Sequence, residues 1–299
     1  MRMDPGRVAL SKHPLHYTQM KVKGLDLPAQ PEIVGEVLRL AENPNSSMSD
    51  IARVLSRDAA LTTRVLKIAN SPYYGMRQYV GTLQMALVIL GIHEVRNVVL
   101  AVSLYESCKN KTVDPNLVAE IWDHAVRTAG VARGFAAELR IRREGQEFTA
   151  SLLADVGKIL FFRYDKNRYA PIYDQNKQHP HLLSAEEQKA FGFAHADLAA
   201  LMSYRWNLPI AITDSLWFQY PNPERPLSYA ADPELAAVVR LAKYAQTVAG
   251  TAQDAPKLEP DDEAWDILAP RYQDIAKDEM HAKLLSLAQL NKSYSMVGL

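Results

Sequence analysis

Apolar side chains recur at spacings of three and four through segment after segment of this chain, and no segment shows the sustained alternation that a half-buried strand requires. That pattern confines the fold to packed helices. Ile33, Val34, Val37, Leu38, Leu40 and Ala41 fall on one stripe, which Asn43-Pro44 ends because the residue before a proline is pushed out of helical geometry. Ser47 and Asp50 then place a hydroxyl and a carboxylate where they satisfy the free amides of a first turn ahead of Ile51, Val54 and Leu55. A further helix is predicted from near Asp58 through Leu61, Val65, Leu66 and Ala69, with Asn70 closing it in a left-handed turn and Pro72 unable to continue it.

The same reading carries through the rest of the chain. An apolar helix over 82–90 ends at Gly91, and Val95, Val98, Val99 and Val102 resume the pattern at once. Asp114 caps a long helix in which Pro115 loses no needed amide, and its buried stripe runs Leu117, Ile121, Ala125, Ala132, Phe135 and Leu139. One core helix is predicted over 147–162 despite Gly157, followed by a polar stretch with His179-Pro180. Helices follow at 184–191, 195–206 and 209–219, with Asn207-Leu208 as a turn and Pro209 as an initiator, then a proline-rich link over 221–233. Helices near 234–249, 262–275 and 277–290 complete an all-α chain.

The expected organisation is an irregular arm over 1–24, to which no function is assigned, a helical body over 25–250 and a C-terminal helical extension over 251–299. The body divides into an N-terminal half, 25–112, and a second half, 113–250. The link over 251–261, with Pro256 and Pro260, either sets the last two helices apart as a lid or dimer element or lets them complete the core; the core is the favoured reading. The stripe Met280, Leu284 and Leu287 is expected to pack inward in preference to pairing with a second subunit.

Composition excludes several classes. With 48% apolar and 23% charged residues the chain is an ordinary globular one, expected to fold without staples. Lys plus Arg and Asp plus Glu both total 34, so no net field draws the molecule onto nucleic acid or an anionic membrane. The basic cluster Arg140, Arg142 and Arg143 reads as a solvated helix end, where positive charge suits the dipole, and Tyr73-Tyr74-Gly75 as a packed turn. The single cysteine, Cys108, has no internal partner, which suits a reducing compartment, and the apolar runs fall far short of the roughly 20 residues of a membrane span. A soluble, cytoplasmic protein is expected.

Eight histidines invite a metal hypothesis, yet no HExxH, paired-cysteine or His-x-His spacing occurs, so any site must be assembled from distant helices. His124, Asp155 and His195 are the candidates, each beside the apolar stripe of its own helix. Asp155, three residues after Leu152 and four before Ile159, points towards packed surface, where an ionised carboxylate needs a cation, an amide donor or a metal. Both a purely structural and a ligand role stay open for Asp155 and His124, while His195 at a helix start leans towards packing or capping.

Residues 25–110, with the Asp58-Ala59-Ala60-Leu61-Thr62 turn, the Ala69-Asn70-Ser71 helix end and the helix over 86–91, resemble the HDOD family, and the likeness extends through about 25–250. It implies a multi-helical, HD-like architecture of two packed helical subdomains, related to phosphohydrolases in which a histidine, a His-Asp pair and a later aspartate hold a water-activating metal. His124 matches the first histidine and Asp155 the aspartate of the pair, but Ala154 replaces its histidine and Lys243 stands where the final aspartate is expected. In relatives that cleave cyclic dinucleotides a further histidine matches His195, and a His-His pair falls at Gln219-Tyr220. A shift by a helical turn would bring in Asp123 or Asp197 as substitute carboxylates.

The resemblance therefore implies no cofactor and no metal, with His124, Asp155 and His195 as the ligands if a divalent ion binds. It implies a non-catalytic module of bacterial signal transduction that binds a protein partner or a small ligand within cyclic-dinucleotide networks. The degenerate site, His124, Asp155, Lys158, His195, Gln219 and Lys243, would supply the ligand contacts, in a pocket facing the first half of the chain. A metal-dependent phosphohydrolase, with Lys158 or Lys243 holding phosphate, is the alternative. A DNA-binding regulator is a second one, because the helix over 58–69 offers Thr62, Thr63, Arg64 and Lys67 in helix-turn-helix spacing, without the basic excess that nucleic acid demands.

Overall fold

A computed structural model describes residues 27–70, 78–108, 113–250 and 261–292, and among these there are helices and no strands. The arm over 1–24, Tyr73-Tyr74-Gly75 and most of the 251–261 link lie outside the described residues. In chain order the α-helices are α1 Glu32–Glu42, α2 Met48–Leu55, α3 Ala59–Ala69, α4 Leu83–Leu90, α5 Ile92–Cys108, α6 Pro115–Glu138 and α7 Gln146–Leu153. Then come α8 Val156–Asn176, α9 Pro180–Phe191, α10 His195–Arg205, α11 Ile210–Trp217, α12 Pro233–Gly250, α13 Asp262–Leu268 and α14 Lys277–Lys292. No single described helix is long and apolar enough to cross a membrane; α4 and α5 reach that length and hydropathy only together, across a 117° bend.

Local chemistry sets most of these boundaries. Ser47 and Asp50 close a capping box on α2, Asp58 accepts the Leu61 amide at the start of α3, and Thr82 accepts that of Met85 at the start of α4. Gly91 takes φ 82°, a left-handed conformation that ends α4 and lets α5 begin at once in a new direction. Asp114 caps α6, with Pro115 in its first turn.

Four local expectations are corrected. Asn70 is not left-handed, with φ −87° and ψ 1°; its side-chain amide instead donates to Val80 O at 2.8 Å while its Oδ1 accepts from Val80 N at 2.7 Å. The helix over 147–162 is two helices, broken at Ala154 and Asp155, because Asp155 leaves helical geometry and stands just ahead of α8 without capping it through its side chain. The stretch after Phe162 is helical too: α8 continues to Asn176 past a bend at Asp165, whose carboxylate accepts the Arg168 amide at 3.1 Å and restarts the helix. The helix over 262–275 stops at Leu268, and Ala269–Arg271 is a 3-10 turn, since Pro270 brings no amide to an α-helical bond.

Two large apolar clusters hold most of the fold, with a small third one of Ala69, Val80 and Ala86. The larger joins α1–α5 to α6–α11, with Ile51, Leu55, Val98, Phe148, Phe161 and Trp206 all at 1% exposure or less. The second packs Trp265, Leu268, Met280, Leu284 and Ala288 against Phe135 of α6 and Leu241 of α12, so α13 and α14 complete a core. The Phe135 and Trp265 rings meet edge to face at 5.7 Å. Each fully buried Leu or Val contributes about 1.5–3 kcal/mol, which fixes α6 and α12 rigidly side by side.

Candidate functional site

The break between α7 and α8 decides the site. Had the helix run straight, Asp155 would lie on its cylinder; leaving it, the carboxylate reaches three side chains from three directions. Lys243 of α12 donates to Asp155 Oδ1 at 2.7 Å, Lys158 of α8 lies 3.0 Å from the same oxygen, and His124 of α6 donates its Nδ1–H to Oδ2 at 2.8 Å. The Asp155 side chain is 2% exposed and that of Lys243 5%, so this is a buried ion cluster of one carboxylate and two ammonium groups.

Burial pushes the Asp155 carboxyl up, but Lys158, Lys243 and His124 together outweigh it and hold the group well below the usual carboxylate range. Lys243 moves the other way: burial lowers it to about 8 against the pull of Asp155. His124 is lowered by burial, which the Asp155 hydrogen bond and charge offset only in part, so a neutral imidazole donates to Asp155.

His195 stands one layer away. It is the first residue of α10 and fully buried; its Nδ1 meets Glu187 Oε2 at 2.6 Å and its Nε2 meets the Tyr220 hydroxyl at 2.9 Å. Glu187, on α9, also accepts from the His195 amide at 2.8 Å and the Tyr169 hydroxyl at 2.7 Å. Burial depresses His195, which is neutral: Nδ1–H donates to Glu187 and Nε2 accepts from Tyr220. Tyr220 joins the layers, with Lys243 Nζ 5.1 Å from its ring centroid. Gln219 does not touch Asp155; it donates to Leu216 O at 2.8 Å and lines a small cavity of about 30 Å³ that Lys243 also borders.

The sequence-predicted residues are thus divided. His124, Asp155, Lys158 and Lys243 form one contact network, His195 lies behind Tyr220, and Gln219 lies at the side. Asp123 pairs with Arg127, while Asp197 caps α10 and accepts from Trp217 and Arg225, each at 2.8 Å, so neither supplies a substitute carboxylate. Glu187 was not anticipated. It falls four residues after Leu183, and both are fully buried, so a carboxylate on an apolar stripe was the available signal. On α3, Arg64 pairs with Glu106 at 2.6 Å, and the Thr62 and Thr63 hydroxyls donate to backbone carbonyls.

A water-activating divalent ion does not fit these donors. Both Asp155 oxygens are engaged by N–H donors, an ammonium group sits where a ligand would be needed, and Ala154, 1% exposed, has no lone pair to offer. Among the described residues no group of three His, Cys, Asp or Glu side chains converges for a metal. Beside the cluster opens a cleft of about 210 Å³, bordered by His124, Arg127, Lys158, Lys177 and Gln246. Its described lining begins at Glu120, so this cleft does not face the first half of the chain as expected.

An all-helical body with a degenerate His-Asp centre defines the HD-like class. The chain matches the HDOD domain model over residues 27–221 and belongs to the HDOD domain family. An uncharacterized protein of Treponema pallidum (strain Nichols) is 26% identical over 208 residues, 68% of this chain and 39% of that protein, so the chain spans about two fifths of the length of this curated relative. An HDOD domain protein of Geobacter sulfurreducens superposes with TM-score 0.73 at 20% identity, over 95% of this chain and 98% of that one. A candidate phosphohydrolase of Shewanella amazonensis SB2B gives 0.64 at 24% identity, over 92% and 96%. A protein of Marinobacter aquaeolei VT8 named for signal transduction gives 0.67 at 18%, over 93% and 63%. These three likenesses show the fold.

Proposed function

We propose that this chain is a non-catalytic, cytoplasmic module of bacterial signal transduction, in which the degenerate hydrolase centre serves as a rigid recognition element for a small ligand or a partner protein. One observation carries this reading: Lys243 Nζ, 2.7 Å from Asp155 Oδ1, puts a fixed positive charge on the carboxylate that a hydrolytic metal would need. An ammonium group repels a second cation and donates no electron pair, so the water activation on which HD-type hydrolysis rests has no seat. What remains is a preformed polar cleft on the packed helices α6, α8 and α12, suited to binding. Membership of the HDOD family supports the signalling role; cyclic-dinucleotide networks are the context proposed for it.

Metal analysis and turnover on the same samples test the proposal. The full chain, purified from medium supplemented with Mn, Fe and Zn, is expected to carry substoichiometric metal and to hydrolyse neither p-nitrophenyl phosphate, its bis-ester nor cyclic dinucleotides above the level of an Asp155→Asn variant. Stoichiometric metal, with turnover that this variant abolishes, would overturn the reading.

A further inference from the structure

The cleft beside the ion cluster has the chemistry of an anion site. Its inner wall is Lys158, with an 8% exposed side chain; Arg127, at 22%, and Lys177, at 36%, stand further out. Every charge near it counts. Asp123 pairs with Arg127, Asp155 with Lys158 and Lys243, and the 71% exposed Asp174 stands 3.9 Å from Lys177, with Glu120 exposed at the rim. Among the residues that line the cleft, Arg127, Lys158 and Lys177 are cationic and Glu120 and Asp155 anionic, which leaves an excess of one positive charge; solvent screens the exposed Asp174 beside it.

A second observation is independent of charge. Two residues of the lining each bury a polar atom without a hydrogen-bond partner among the described residues: Arg127 its Nε, a donor, and Gln246, only 3% exposed, its Oε1, an acceptor. Leaving such groups unsatisfied costs about 1–3 kcal/mol each, so a ligand offering both an acceptor and a donor is favoured. A carboxylate only accepts. Inorganic phosphate keeps at least one P–OH at neutral pH, and a monoester keeps one as its monoanion, so each then has anionic oxygens for Arg127 and Lys158 and a P–OH to donate to Gln246. At about 210 Å³ the cleft lies below the roughly 300–1,000 Å³ that encloses a drug-sized molecule, which restricts the occupant to something compact.

We propose that this cleft is a metal-independent site for a compact phosphate group, free or as a small monoester, held by Arg127, Lys158 and Gln246 with Lys177 at its mouth. The proposal rests on the non-catalytic reading and names the ligand class of that same centre. Arg127, Lys177 and Gln246 are the residues it adds.

Isothermal titration of the full chain with inorganic phosphate, phosphoserine and acetate, with and without EDTA, tests it. Phosphate and phosphoserine are expected to bind with EDTA causing no change, and acetate to bind at least about tenfold more weakly. Arg127→Gln and Lys177→Gln are expected to weaken phosphate by about tenfold and a few-fold, while Lys283→Gln, remote on α14, leaves it unchanged. Lys177→Gln lies on an exposed position, so its effect is readable even if Arg127→Gln does not fold. No phosphate binding, loss of binding in EDTA, or equal affinity in Arg127→Gln, Lys177→Gln and Lys283→Gln would each overturn the site. Turnover of phosphoserine is followed in the same cell: turnover with EDTA-insensitive binding refutes the non-catalytic reading and leaves the site standing, whereas neither binding nor turnover refutes the site alone.

Discussion

Replacing Asp155 by asparagine removes the one negative charge on which the buried centre depends. At separations of 2.7 and 3.0 Å the carboxylate attracts Lys243 and Lys158 by about 5–6 kcal/mol each at an effective dielectric of about 20, most of which offsets the cost of taking the ions out of water. With asparagine the two ammonium groups stay buried and repel one another across a neutral amide. Breaking a buried pair in this way costs about 3–5 kcal/mol, or roughly 6–15 °C in melting temperature for a chain of this size. Lys243→Met differs, because Asp155 keeps Lys158 and the His124 donor while an apolar chain fills the space, and the expected loss is below about 2 kcal/mol. The double variant is expected to be more stable than Asp155→Asn by about 2 kcal/mol, since it removes one of the stranded cations.

Urea unfolding followed by circular dichroism at pH 7 measures all three variants. The sign with pH is a further check. In Asp155→Asn, Lys243, already lowered to about 8, loses its attractive partner and falls further, while in the unfolded chain it stays near 10.5. The unfolded state then binds more protons, so this variant gains stability as pH rises from 7 to 9. Asp155→Asn within about 0.5 kcal/mol of the parent, or a double variant no more stable than Asp155→Asn, would refute the account of the centre as a charge cluster built around one carboxylate.

Two further outcomes are expected. Gly157→Ala builds a Cβ into the backbone oxygen of His195, forcing the start of α8 away from α10; a loss of more than about 3 kcal/mol or a failure to fold is predicted, and a parental melting curve would show that the two helix starts do not pack this closely. His124 and His195 are both held below the ordinary histidine value of 6.5, so below that pH the unfolded chain takes up protons that the folded one refuses, and stability falls by up to about 2.7 kcal/mol per pH unit; urea titrations from pH 7.5 to 5 that show no such fall would contradict the neutral assignment of both rings.

Much of the architecture was legible in the linear chain because its causes are local. The stripe from Ile33 to Ala41, the capping box of Ser47 and Asp50, Gly91 and the Asp114-Pro115 start all act within one or two turns, and the structure keeps them. The breaks at Asp155 and Asp165 were not legible, since Leu152, Val156 and Ile159 preserve helical spacing across the first and polar residues on a solvated face disguise the second. Spacing records which face is apolar; it does not record whether the axis bends.

The candidate residues divide along the same line. Sequence alone determined that His124 and Asp155 stand beside apolar stripes and that the body of the chain is built of helices, and its resemblance to the HDOD family implied that an alanine and a lysine occupy positions where a metal would need donors. Only the tertiary structure decided that Lys243, 88 positions away, lands on Asp155, that His195 faces Glu187 and Tyr220 instead, and that Arg127 and Gln246 border the cleft. The reason is physical: side-chain periodicity is set by the 3.6-residue turn of each helix by itself, whereas partnership between helices depends on crossing angles and on where a chain turns, which are fixed by core packing contributed from the whole molecule.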